Sequence, residues 1–118
     1  MAGWSEVVRV SREEHTAAPK ANMSLAVTLV TSSYTITSGG LQLYQIDATN
    51  GGFTLTLPDA TNQDGSHFYI KRQDNSVSNP VTISCQNNQK LDNNANTSLS
   101  TKKFFHVIAY NNNWWVIG

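Results

Sequence analysis

The sequence has one cysteine, three prolines, and no glutamate beyond residue 14. Charged residues make up only 14% of it, well below the roughly one quarter of an ordinary globular domain. The lone Cys85 excludes an internal disulfide. It shares a strand face with Val81 and Ile83 and reads as a small buried apolar residue. No apolar run approaches the roughly 20 residues of a membrane-spanning helix, and the N-terminus lacks the basic-then-apolar pattern of a secretory signal. No membrane partner is therefore expected, and synthesis is expected in a cytosol. Eight basic and eight acidic side chains cancel to a formal net charge of zero. That argues against nucleic acid, whose recognition needs an excess of Lys and Arg, and against anionic lipid.

The scarcity extends to catalytic groups. A carboxylate pair in the main body would have to come from Asp47, Asp59, Asp64, Asp74 and Asp92. Each falls at a strand end or turn, where Asp serves the backbone. There is no G-x-S-x-G elbow and no phosphate loop. His15, His67 and His106 are far apart in sequence, with no zinc spacing among them. Asp92 to Asn96 begins like a calcium loop, but Thr97 stands where Gly is required and Lys103 where the bidentate Glu is required. It reads as a polar turn. Lys71-Arg72, a basic pair beside Phe68 and Tyr69, reads as a strand whose long stems cover apolar surface. These absences point away from an enzyme, and no cofactor or metal is expected.

What fills the chain instead is uncharged polarity. It has 13 Asn, 12 Thr and 12 Ser among 118 residues. Thr suits strands, while Asn and Ser suit turns by bonding their own backbone. Short runs such as Phe53-Thr54-Leu55-Thr56-Leu57 and Val81-Thr82-Ile83-Ser84-Cys85 alternate with turn signals such as Asn50-Gly51-Gly52, Asp64-Gly65 and Asn111-Asn112-Asn113. The expected fold is all-β, a small antiparallel sandwich or barrel-like domain over residues 23–118. Residues 1–22 differ from it. They hold all three glutamates and end near Pro19, and they read as an extended N-terminal arm. Its apolar points are Trp4, Val7, Val8 and Val10, flanked by Arg9 and Arg12.

Several strands are apolar on both faces: Phe68-Tyr69-Ile70, Phe104-Phe105 with Val107-Ile108-Ala109, and Trp114-Trp115-Val116-Ile117. A sheet with one wet face does not need this. The second apolar face must meet another sheet or another subunit.

The order of these elements resembles a known family. Phe53-Thr54-Leu55-Thr56-Leu57-Pro58 is followed by Gly65-Ser66-His67-Phe68-Tyr69-Ile70-Lys71, then Asp74-Asn75-Ser76, Asn79-Pro80-Val81-Thr82-Ile83, Lys90-Leu91-Asp92 and the ending Asn113-Trp114-Trp115-Val116-Ile117. This resembles the small β-modules of tailed-bacteriophage fibres, spikes and head-decoration proteins. Asn93 replaces a frequent Gly and Asn111-Asn112 an Asp-Gly turn, both with turn chemistry kept. The resemblance implies a homotrimer with apolar faces buried between subunits, for which Phe53, Leu55, Leu57, Phe68, Ile70, Phe105, Val107 and Trp114 are the expected core. It implies a virion location.

Short length and the absence of shaft repeats favour a head-decoration (cement) protein whose arm binds the major capsid protein. The alternatives are a tail fibre or spike tip that meets a host-surface glycan, and a carbohydrate-binding module in which Tyr69, Tyr110 or Trp115 stacks on sugar rings.

Overall fold

The computed structural model describes residues 25–37 and 42–118. The arm, with Trp4, Val7, Val8, Arg9, Val10, Arg12 and His15, lies outside the described residues, as do residues 38–41. Among the described residues every regular element is a strand.

The chain alternates between two sheets. Strand β1 (Ala26–Val30) lies in the first and β2 (Tyr34–Thr35) in the second. Strand β3 (Gln42–Ile46) returns to the first, β4 (Phe53–Thr56) to the second, β5 (His67–Arg72) to the first and β6 (Val81–Ser84) to the second. Successive visits pair in parallel, β1 with β3 with β5, and β2 with β4 with β6. The result is three stacked coils. Each parallel crossover runs through the opposite sheet, where most folds would use a helix. Three further strands close the stack in antiparallel fashion. They are β7 (Asn96–Ser98) on β6, β8 (Phe104–Tyr110) on β5, and β9 (Asn113–Val116) on β8. The final orders are β1-β3-β5-β8-β9 and β2-β4-β6-β7.

The all-β expectation therefore holds, but the sheets are mixed, not antiparallel. Asn50-Gly51-Gly52 shows why. It turns the chain as expected, but into the other sheet. A Cβ on Gly52 would sit 2.2 Å from the Pro80 carbonyl oxygen, and the Phe53 amide donates to that same oxygen at 3.0 Å. One coil's corner is seated on the next, and only glycine leaves room. The abundant asparagine is turn chemistry of the same kind. Asn62, Asn87, Asn88, Asn93, Asn111 and Asn112 all adopt positive φ, which Asn tolerates better than most residues.

The core lies between the sheets. Val30, Tyr44, Ile46, Phe68, Ile70, Val107, Ala109 and Trp114 come from the first sheet, and Leu55, Val81 and Ile83 from the second. Aromatic edges lock together, Tyr44 on Phe68 at 5.5 Å and Phe68 on Trp114 at 5.2 Å between centroids. The Trp114 indole Nε1 donates to the Pro58 carbonyl at 2.8 Å, so its one polar atom is satisfied.

One inward position is charged. Arg72 is buried at the end of β5 and donates through Nε and Nη2 to the two carboxylate oxygens of Asp74, at 3.0 and 3.1 Å. It also donates to the carbonyls of Leu99, Ser76 and Asn79. Asp74 accepts in addition from the amides of Ala48 and Ser76. The hydrogen bonds from Arg72, which outweigh desolvation, hold the Asp74 carboxyl well below the usual carboxylate range. The pair ties three loops together. Arg72 thus departs from the expected surface-covering role. The two residues are two apart at a strand end and so share a face.

Candidate assembly face

Strand alternation sends every second residue of the five-stranded sheet away from the core. Register fixes which residues become neighbours there. Val27 lies opposite Leu43, Leu43 opposite Tyr69, and Tyr69 opposite His106. In the next row Leu29, Gln45, Lys71 and Phe104 line up. His67, Ile108 and Trp115 form a third row. The Ile117 amide donates to the His106 carbonyl at 2.8 Å and extends the face beyond β9.

This outward face is apolar and aromatic. Val27 is 63% exposed, Leu29 59%, Phe104 43% and Ile117 55%. Tyr110, at the turn end of β8, is equally open. The only charged side chain in these rows is Lys71, whose Nζ donates to the Lys102 carbonyl at 2.8 Å. Five strands about 4.8 Å apart, each about five residues long at about 3.3 Å per residue, span on the order of 400 Å². That matches the roughly 300–600 Å² of the largest patch on a typical monomer, a patch that is often functional.

Four rings are packed at its centre. Tyr69 stacks on His106 with centroids 4.1 Å apart and on Phe104 at 5.6 Å. The His67 Nδ1 and His106 Nε2 atoms lie 2.9 Å apart, a hydrogen bond in which one ring carries the proton. Burial, and then the neighbouring His67, push the His106 pKa down. Sequence alone left these histidines unrelated, because their proximity depends on the β5–β8 register.

The residues expected to form a trimer core sit elsewhere. Leu55, Leu57, Phe68, Ile70, Val107 and Trp114 are buried within the single chain, and Phe53 and Phe105 pack against them. They have little surface left for a neighbour. The doubly apolar strands were nonetheless legible, and the second face is the outward one. On β1 it carries the larger side chains, since Val27 and Leu29 point out while Val30 points in.

Of the residues considered for sugar stacking, Tyr69 already stacks on two rings, and the Trp115 indole donates to the Tyr110 carbonyl at 3.0 Å. Asp92 Oδ1 accepts from the Val116 amide at 2.9 Å. The Asp92 to Asn96 turn is thereby tied to β9. Among the described residues no group of three His, Cys, Asp or Glu side chains is placed to hold a metal ion. A polar cavity of about 310 Å³ opens beside Thr37, Asp59, Gln63 and Trp114. Its Asp59 is engaged by the Thr61 amide and the Gln89 side chain. No protein-family model matches the chain, and no curated protein matches it significantly.

Proposed function

We propose that this protein is a virion structural component that assembles as a homotrimer through the outward face of its five-stranded sheet and decorates a bacteriophage head, with residues 1–22 anchoring it to the major capsid protein. The observation that carries the reading is the uncovered face itself. Nothing among the described residues packs on it, and it is too apolar to be left in water at no cost.

The occupant we assign is a second copy of the same chain. The face holds one charged side chain, so it selects no oppositely charged partner. The net charge of zero removes the general repulsion between copies. Three such faces turned toward a three-fold axis remove on the order of 1,200 Å² from water in all, the low end of specific interfaces. A shell-bound trimer stabilises the assembled shell by mass action, since it binds that state and not free subunits. The order of sequence elements shared with phage β-modules supports the virion setting.

Sedimentation of the full chain tests the assembly, with three chain masses expected at micromolar concentration. Leu29→Lys should leave the fold intact and shift the protein to monomer. A wild-type monomer at tens of micromolar would overturn the reading. Immunogold labelling of particles of the encoding virus tests the location. Gold over heads is expected. Gold on tail fibres would move the role to receptor binding. Unlabelled particles would favour a free glycan-binding module.

A further inference from the structure

We infer that assembly through this face is controlled by pH, with the His67–His106 pair as the sensor, so that copies associate near neutrality and separate in mild acid. The inference rests on the assembly proposed above and adds its regulation.

The geometry sets the proton count. Nδ1 of His67 and Nε2 of His106 are 2.9 Å apart, so one nitrogen must be an unprotonated acceptor. Protonating both rings places a donor against a donor and a cation against a cation. The pair sits in the middle of the face, with Tyr69 stacked on the His106 ring. Association would strip the remaining water from it and raise the cost of any charge there.

No acidic side chain lies in the rows of the face, and Asp64 and Asp92 at its edges are engaged by the Asn111 and Val116 amides. On β5 the outward neighbours are Tyr69 and Lys71. On β8 they are Phe104, Ile108 and Tyr110, with Lys102 and Lys103 just before the strand. On β9 and beyond they are Trp115 and Ile117, with the Gly118 carbonyl accepting from the His106 amide. Strand β3 contributes Leu43 and Gln45. The one charge on the face, Lys71, repels a second cation. The depressed His106 pKa follows the same direction.

The linkage has a definite sign. A group kept neutral by association favours the associated state above its free pKa and opposes it below. Each proton excluded at the interface weakens association by up to about tenfold per pH unit below the pKa of the free protomer.

The test is sedimentation velocity of the full chain at pH 8 and pH 5, with circular dichroism at both. Wild type should be oligomeric at pH 8 and largely monomeric at pH 5, with an unchanged β spectrum. The variant His67→Gln/His106→Gln has no titrating ring on the face and should remain oligomeric at both. An oligomer that persists at pH 5 in wild type would overturn the pH control while leaving assembly standing. A monomer at pH 8 would overturn the assembly itself. If the double variant does not fold, dilution calorimetry of wild type near pH 6, in two buffers of different ionisation heat, decides. Proton release on association supports the sensor, and its absence refutes it.

Discussion

Replacing Asp74 by alanine isolates the most concentrated polar interaction in the fold. The side chains of Arg72 and Asp74 are 3% and 2% exposed, so the variant leaves a guanidinium buried without its counter-charge. Removing one partner of such a pair costs about 3–5 kcal/mol. Two features place this case. Arg72 keeps the carbonyls of Leu99, Ser76 and Asn79, which soften the loss. The amides of Ala48 and Ser76 lose their acceptor, which deepens it. The two adjustments are of similar size, and a loss of about 3 kcal/mol is expected, a large part of the 5–15 kcal/mol available to a typical domain. With a urea slope of about 1.5 kcal/mol/M the midpoint should fall by roughly 2 M. The assay is equilibrium urea unfolding followed by tryptophan fluorescence. A fall below about 0.5 M would refute the view that this pair holds the loops. The pH dependence is a second check. A carboxyl with a lowered folded pKa contributes stability that is complete above its unfolded value near 3.8 and is lost as pH falls through the folded value. The gap between wild type and Asp74→Asn should therefore persist from pH 7 to about 4 and close only in stronger acid.

Three further outcomes follow from local geometry. Gly52→Ala places a methyl group against the Pro80 backbone, so the stacked corners must separate, with a loss of about 2 kcal/mol in thermal or urea unfolding. Trp114→Phe removes the Nε1 hydrogen bond to Pro58 and leaves a void beside Phe68, with a loss of about 2–3 kcal/mol by the same measurement. Burial, only partly offset by Lys90, pushes the Cys85 thiol up to about 11. Maleimide labelling of the native protein at pH 8 should be roughly a hundredfold slower than that of a small free thiol, and should recover in urea.

Strand positions and their inward faces were legible because period-two alternation survives in Phe53, Leu55 and Leu57, in Phe68 and Ile70, and in Val107 and Trp114. Strand direction was not. A glycine or asparagine turn reports that the chain bends, and the corner at Gly52 bends it into the opposite sheet. Whatever depends on pairing was hidden for the same reason. The His67–His106 contact needs the β5–β8 register, and the outward path of Val27 and Leu29 needs the strand to be placed against β3. The Arg72–Asp74 pair was hidden differently, since a charged dipeptide step at a strand end is far more often solvated than buried.

The stacked coils also tolerate change unevenly. The chain between Val27 and its partner Leu43 is much shorter than the chain between Leu43 and its partner Tyr69, yet both pairs sit in parallel register on one sheet. The corners absorb that difference while the rungs stay aligned. Natural variation should accordingly accumulate as insertions and deletions at the corner around residues 61–65, while the rows of the outward face keep their order. A lineage could then reshape its corners without redrawing the surface through which we propose its copies meet.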